Sequence, residues 1–360
     1  MTADPKTGLP TPSGGAVTAW LWCMIAMVFA MVVLGGVTRL TQSGLSMVDW
    51  RPIMGILPPL SAAAWEDAFA AYRRFPEYRE LNYGMTLAEF KAIYLMEYAH
   101  RVWGRLIGLA FLLPWLWFVA RGKVRGRTAL ALGGIFLLGA AQGVVGWVMV
   151  QSGLVDMPSV SPYRLTVHLV LAVAILGLLF WMVLGRTLVP QPVTDARRLA
   201  RAALIALGLA ALTVISGGFV AGIDAGMTYN TFPLMDGKLV PDGLFMLEPA
   251  WRNPFENPAM AQFDHRVLGI ATMLAALAPW ARGRGLNLAP RQRLAVNLMA
   301  LMALVQPGLG IATLLLVVPV PLAAAHQAGA LVLLGLILWV LFEARAARAR
   351  PRLDPAGAAG

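Results

Sequence analysis

The chain has 360 residues, of which 59% are hydrophobic and 13% charged, and its formal net charge is +11. Apolar runs of about 20 residues recur along it, which is the length needed to cross the hydrocarbon core of a membrane. This composition excludes an ordinary soluble domain and predicts an all-α integral membrane protein. The single cysteine, Cys23, excludes an intrachain disulfide or a thiolate metal cluster.

Eight transmembrane helices are predicted from the apolar runs. In chain order they cover residues 17–37, 93–120, 128–150, 163–188, 199–222, 260–281, 294–318 and 322–342. The first run is too long for the apolar region of a signal peptide and lacks a clear cleavage site, so it is expected to be a retained helix. Residues 1–16 are then an N-terminal tail, and residues 346–360 a basic C-terminal tail.

Basic residues are concentrated after every second predicted span. They form four groups: Arg121, Lys123, Arg125 and Arg127; Arg186, Arg197, Arg198 and Arg201; Arg282, Arg284, Arg291 and Arg293; and Arg345, Arg348, Arg350 and Arg352. The positive-inside rule places these groups and both termini in the cytoplasm, in a bacterial inner membrane. The high net charge therefore reflects topology, and no nucleic acid partner is expected.

The remaining connections face outward, and two are long, covering residues 38–91 and 223–261. Residues 61–75 in the first loop predict a short amphipathic helix. Thr86 and Glu89 have the capping-box spacing that begins a helix leading into the second span. Chemistry is expected near this outer face.

An internal repeat is visible within the sequence. Four features recur in the same order in both halves: Gly35-Gly36 with Gly217-Gly218, His100 with His265, Gln142 with Gln306, and His168 with His326. Because each unit contains an even number of spans, both copies enter the membrane in the same orientation. The repeat predicts two parallel four-helix bundles, residues 17–190 and 191–345.

All the histidines of the chain, His100, His168, His265 and His326, lie in apolar segments a few residues inside the outer ends. An intramembrane histidine is costly and is retained mainly for ions, protons or metals. Two histidines on facing helices of each bundle could hold a planar macrocycle, so one haem per half is predicted, with these side chains as iron ligands. A single such histidine could instead hydrogen-bond a neighbouring helix.

Glu97 lies one helical turn before His100, whereas the equivalent position before His265 is Gln262. A carboxylate in only one copy indicates proton-coupled chemistry in the first half and a resident redox centre in the second. Alternatively, Glu97 is solvated or paired with an arginine. Four arginines at outer helix ends could bind haem propionates or lipid phosphates: Arg39, Arg101, Arg164 and Arg266.

Several stretches resemble the heme A synthase family, in the branch found in mitochondria and alphaproteobacteria. They are GGVTRLTQSGLSMVDWRP at residues 35–52, EYAHRVWGRLIG at 97–108, Val167-His168, FDHRVLG at 263–269 and Ala325-His326-Gln327. The resemblance covers nearly the whole chain. The cysteine pair in the first outer loop of the Gram-positive branch is absent, so its redox role cannot be transferred.

The resemblance implies an oxidoreductase of haem A biosynthesis. Such enzymes oxidise a methyl group of haem O by successive hydroxylations to the formyl group of haem A, for cytochrome oxidase assembly. His100 and His168 would hold haem O, with Glu97 as acid/base or proton relay, and His265 and His326 would ligate a resident haem b. The implied partners are an electron donor or acceptor, haem O synthase, cytochrome oxidase assembly factors, and a second copy of the chain.

Two other functions are compatible with the histidine spacing. A dihaem b-type membrane cytochrome would only transfer electrons and would need no carboxylate beside one haem. A transporter with parallel repeats would place polar residues at mid-membrane depth, where only Gln142 and Gln306 are found.

Overall fold

The computed structural model describes residues 15–48, 57–153, 158–189, 191 and 195–346. The elements are α1 (Ala16–Leu40), α2 (Ala62–Tyr72), α3 (Pro76–Glu80), α4 (Leu87–Ala120), α5 (Gly126–Gly153), α6 (Pro162–Thr187), α7 (Ala196–Gly222), α8 (Asn253–Glu256), α9 (Pro258–Gly283), α10 (Pro290–Leu315) and α11 (Val320–Ala346). Arg348, Arg350, Arg352, the tail before residue 15 and the Asp49–Pro52 part of the first motif lie outside the described residues.

Seven of the long helices are long and apolar enough to cross a membrane: α1, α4, α5, α6, α7, α10 and α11. This confirms the prediction of an all-α, multi-pass membrane protein. The eighth predicted span corresponds to α9, which has the length of a span but not the hydropathy of the other seven. The polar run Gln262 to Arg266 lies in its second turn and lowers its hydropathy.

The predicted seventh span is too long at its end. It was expected to reach Val318, but α10 ends at Leu315. Val317 and Val318 have φ angles of 59° and 57°, in the left-handed region that β-branched residues rarely adopt. These two residues therefore terminate α10 and turn the chain into α11.

The helices pack in two closed cycles of four. In one, α1 contacts α4 and α6, and α5 contacts the same two helices; in the other, α7 contacts α9 and α11, and α10 contacts the same two. Contacts of α6 with α7 and of α11 with α1 and α6 join the cycles. One shared hydrophobic core runs through both, with fully buried side chains such as Leu21, Leu179, Met299 and Ile337.

The connections after α1, α5, α7 and α10 share one end of the assembly, which is termed the histidine end. The connections after α4, α6 and α9, with the end of α11, form the opposite arginine end. There, Arg291 of α10 donates to the buried carboxylate of Glu343 on α11 through Nε at 2.6 Å, and to the Val189 carbonyl at 2.7 Å. The hydrogen bond to Val189 fastens the connection between α6 and α7 to the second cycle.

At the histidine end, the first long connection folds against α4. The predicted capping box is confirmed, since the Thr86 hydroxyl accepts from the Glu89 N–H while the Glu89 carboxylate accepts from the Thr86 N–H. The amphipathic helix predicted at residues 61–75 is also present, as α2, capped by Ser61. Phe69 and Tyr72 of α2 are buried against Phe90 of α4. With 34 residues, α4 is about 51 Å long, so its first turns reach past a hydrocarbon core of about 30 Å.

Candidate functional site

Each of the four histidines packs directly on a glycine of the preceding long helix. The pairs are Gly35 of α1 with His100 of α4, Gly146 of α5 with His168 of α6, Gly217 of α7 with His265 of α9, and Gly310 of α10 with His326 of α11. A Cβ at these glycines would lie 3.2, 2.9, 3.0 and 2.8 Å, respectively, from an imidazole atom. A close-packed interior has no space for this added carbon unless the imidazole ring moves. The glycines therefore set the position of the imidazoles.

The two glycine pairs seen in the sequence have divided roles. Gly35 and Gly217 contact the histidine of their own cycle, whereas their neighbours face the other cycle. A Cβ at Gly36 would overlap the amide of Gln327, and one at Gly218 would lie 2.8 Å from the Thr166 hydroxyl. Gly36 and Gly218 therefore serve close packing between helices of the two cycles.

In the second cycle, the rings of His265 and His326 face each other with their centroids 6.3 Å apart and their planes at 86°. An imidazole nitrogen lies about 2 Å from a bound transition metal, so this separation suits one ion shared between the two rings. Gln306 orients His326 from α10, because its Nε2 donates to the His326 carbonyl at 2.7 Å and lies 3.2 Å from Nδ1. The residues present fit axial ligation of a haem iron.

In the first cycle, the arrangement around His168 repeats that around His326. Gln142 of α5 donates from Nε2 to the His168 carbonyl at 2.9 Å. His168 Nδ1 is buried and has no hydrogen-bond partner among the described residues. His100 on α4 and His168 on α6 belong to the same cycle, since α1 and α5 each contact both of these helices. This pair therefore also fits a haem iron, with a ring nitrogen left available on His168.

No group of three or more His, Cys, Asp or Glu side chains in the described part of the chain is placed to hold a bare metal ion. Two imidazoles are too few protein ligands for a structural zinc site, which uses four. A haem supplies the remaining ligands from its own macrocycle and requires only axial residues from the protein. Two imidazoles therefore fit a haem better than they fit a bare metal ion.

Glu97 is held in a network at the histidine end. Its side chain is 2% exposed, and Oε1 accepts from Arg101 Nη2 at 2.5 Å. Oε2 accepts from the Ser46 hydroxyl at 2.7 Å and from the Met47 N–H at 2.8 Å. The carboxylate is therefore paired with an arginine, and this pairing is compatible with both interpretations given for Glu97. The structure also shows that the carboxylate anchors the connection after α1 beside His100.

The second cycle contains an equivalent network, in which the arginine bonds keep their direction but Gln262 donates where Glu97 accepts. Arg101 donates to the Met47 carbonyl at 3.1 Å, and Arg266 donates to the Tyr229 carbonyl at 2.9 Å. Gln262, however, donates to its loop, from Nε2 to the Ala225 and Tyr229 carbonyls. The loop offers donors to Glu97 and acceptors to Gln262, so the two side chains are not interchangeable.

The four arginines considered for propionates differ in their partners. Arg39 is paired with Asp224 at 2.8 Å and Arg101 with Glu97, while Arg164 donates to the Val148 carbonyl at 3.0 Å. Arg266 retains two buried nitrogens, Nε and Nη1, with no hydrogen-bond partner among the described residues. A buried guanidinium of this kind fits a carboxylate of a ligand. Arg266 is thus the strongest of the four as a propionate ligand.

Two functional features were not predicted from the sequence. The first is the anchoring of Glu97 by Ser46 and Met47, which are about 50 positions away in the chain. Apart from the conspicuous motif around these two residues, nothing in the sequence indicated this contact. The second is the pairing of all four histidines with glycines. This pairing could have been predicted from Gly146, which recurs as Gly310 together with the glutamine four residues before it. A glycine repeated in this way indicates that another group approaches the backbone closely.

The sequence is similar to proteins of a known family along nearly its whole length. The COX15-CtaA family model, described as cytochrome oxidase assembly protein, matches residues 18–338. The chain belongs to this family. It is 52% identical over 349 residues to the protein named Heme A synthase from Nitrosospira multiformis, covering 95% of this chain and 96% of that protein. It is 46% identical to Heme A synthase COX15 from Bos taurus and 44% identical to its Homo sapiens counterpart, covering 94% of this chain and 84% and 85% of theirs. The resemblance stated from the sequence is confirmed.

Proposed function

We propose that this protein is a heme A synthase, an oxidoreductase that converts a methyl group of haem O to the formyl group of haem A for cytochrome oxidase assembly. The observation that carries the proposal is its similarity, over nearly its whole length, to bacterial and mitochondrial proteins of that name. The paired histidines of each cycle support it, because both substrate and cofactor would then be haems held in equivalent sites.

The membrane organisation proposed for this function has eight spans, with α9 as the eighth. Each closed cycle of helices is one copy of a parallel repeat, residues 17–190 and 191–345. The recurrence of the same hydrogen bonds in both cycles supports this, notably Gln142 with His168 and Gln306 with His326. With both termini cytoplasmic, the histidine end lies at the periplasmic face.

In the second cycle, His265 and His326 would hold haem b, and Arg266 would bind a propionate. When bound, haem b supplies one-electron redox chemistry for exchange with an electron donor or acceptor. The protein contributes the two imidazole positions, set by Gly217 and Gly310, and the orientation of His326 by Gln306.

In the first cycle, His100 and His168 would position haem O, and Glu97 would handle protons next to it. The Oε2 atom of Glu97 lies 2.7 Å from the Ser46 hydroxyl, so a proton can pass between these two groups. Glu97 would act as an acceptor of protons released during oxidation. Glu97 and Arg101 also hold the Ser46–Met47 segment, through hydrogen bonds to the Ser46 hydroxyl and to the backbone of Met47.

The rival function is a dihaem cytochrome that only transfers electrons. The specific observation in its favour is the ion pair of Glu97 with Arg101, because an anchoring carboxylate needs no catalytic role. Haem A formation by the wild-type protein separates the two functions, and replacement of Glu97 tests the role of its carboxylate.

The test uses Glu97→Gln in the full-length protein produced together with haem O, with haems extracted and identified by mass. We expect haem b to be retained and haem O or a hydroxylated intermediate to accumulate, because acid–base groups typically contribute about 10²- to 10⁴-fold in rate. The matched control is Glu89→Gln, which removes a carboxylate from the exposed first turn of the same helix and should leave haem A production unchanged. Haem A formed at the wild-type rate by Glu97→Gln would show that Glu97 is only an anchor, whereas the absence of haem A from the wild-type protein produced with haem O would favour the electron-transfer function.

A further inference from the structure

A basic cleft lies at the arginine end between α7 and α11. It has a volume of about 370 Å³ and is lined by Arg197, Ala200, Arg201 and Leu204 of α7 and by Arg345 of α11. Ala200 is buried and forms its floor, whereas Leu204 is 48% exposed at its side. Three guanidinium groups from two helices thus converge on one partly apolar depression.

The charges of these arginines are not balanced by the protein. Within the described residues, no ion pair joins Arg197, Arg201 or Arg345 to a carboxylate. The acidic side chains nearest along the chain are already engaged, Asp195 with Arg198 at 3.4 Å and Glu343 with Arg291 at 2.6 Å. An anion from outside the protein is therefore the partner that the cleft lacks.

The internal repeat shows that the fold itself does not need this cluster. At the separation that relates Gly35 to Gly217, Arg197 and Arg201 correspond to Gly15 and Ala19 at the start of α1. The first cycle forms without cations there, so the arginines of the second cycle serve something other than helix packing.

The face of α7 beyond the cleft is apolar and open. Its residues are spaced four apart, as on one face of a helix: Leu204, Gly208 and Leu212. Leu212 is 51% exposed. A Cβ at Gly208 would meet no atom within 4 Å. An apolar chain can lie along this strip directly from the cleft.

We propose that this cleft binds the phosphate headgroup of an anionic phospholipid, with an acyl chain lying along Leu204, Gly208 and Leu212. Basic pockets between transmembrane helices on the cytoplasmic side are suited to such headgroups. The continuity of cationic cleft and apolar strip favours a lipid over free phosphate, which would use only the arginines. The proposal requires only that the arginine end lies at a membrane surface and is independent of the reaction catalysed.

The experiment uses the purified full-length protein in nanodiscs of phosphatidylcholine containing a minor fraction of phosphatidylglycerol, and measures phosphatidylglycerol retained after transfer to detergent. One variant is Arg197→Gln/Arg201→Gln/Arg345→Gln. The matched control is Arg198→Gln/Arg282→Gln/Arg293→Gln, which removes the same charge from the same end. Each arginine near a membrane surface is worth about fivefold in binding, so the cleft variant should bind phosphatidylglycerol on the order of a hundredfold more weakly, and the control much as the wild type does.

Inorganic phosphate added at excess separates the two possible anions. Phosphatidylglycerol that remains bound supports the lipid site, whereas its displacement by inorganic phosphate would overturn it in favour of a simple anion site. Equal losses in the two variants would also overturn it, because binding would then follow overall surface charge. Thermal unfolding of both variants verifies that they are folded. Because haem A production is not measured, the result of this experiment does not depend on the proposed function.

Discussion

Glu77, in the connection after α1, is a buried carboxyl whose ionisation should control the stability of that connection. Its side chain is 3% exposed, and its Oε2 accepts from the Tyr72 hydroxyl at 3.0 Å. Burial raises the pKa of Glu77 from 4.5 to about 8; the Tyr72 hydrogen bond lowers it, and the charge of Glu97 raises it further. We expect Glu77→Gln to keep the shape and the acceptor while removing the charge.

The sign and size of the effect follow from proton linkage. Between pH 4.5 and pH 8, the folded connection holds the Glu77 proton and the unfolded one has released it, so stability falls as the pH rises. The stability is fully present below the unfolded pKa and lost as the pH passes the folded pKa. At about 1.4 kcal/mol for each pH unit, the loss is on the order of 5 kcal/mol. Glu77→Gln should abolish this dependence.

The measurement is hydrogen exchange of the backbone amides in α2 and α3 at about pH 5 and about pH 9, corrected for the intrinsic pH dependence of exchange. The wild type should lose protection at the higher pH, and Glu77→Gln should not. Glu80→Gln, which changes an exposed carboxylate of the same short helix, should behave as the wild type does. Equal protection of the wild type at both pH values would refute the assignment of a neutral, buried carboxyl to Glu77.

Two further predictions concern the haem b site and the topology. His326→Ala should remove haem b from a protein that still inserts. Gly310→Ala should reduce haem b by displacing the imidazole ring, at a cost of about 1–3 kcal/mol. The control for both is Gly308→Ala, because a Cβ at that position meets open space, and unchanged pigment in the first two variants would contradict the ligand assignment. A reporter active only outside the cytoplasm should be active within residues 61–82 and silent at the C-terminus, whereas the reverse pattern would invert the proposed orientation.

Much of the helical architecture was readable from the sequence, because it depends on local patterns. Apolar runs of membrane length predict helices wherever they occur, and the Thr86–Glu89 spacing predicted the start of α4 through contacts within a single turn. The histidine pairs were also readable, since a repeated polar residue in an apolar run is conspicuous. The same reasoning predicted a span at α9. Polar residues in the first turns of this helix lower its hydropathy below that of the other seven long helices.

Only the tertiary structure decided what the side chains contact. The sequence placed Glu97 on the face of His100, but the backbone N–H of Met47, brought in by a long connection, determines that its carboxylate is an anchor. Likewise, Gly35 and Gly36 are neighbours in the chain, yet one faces His100 and the other Gln327 of the other cycle. Burial of Glu77 depends on the packing of α2 against α4. The physical reason is that helix formation is governed by residues within a few positions of one another, whereas the partner of a side chain is set by packing between segments far apart in the chain.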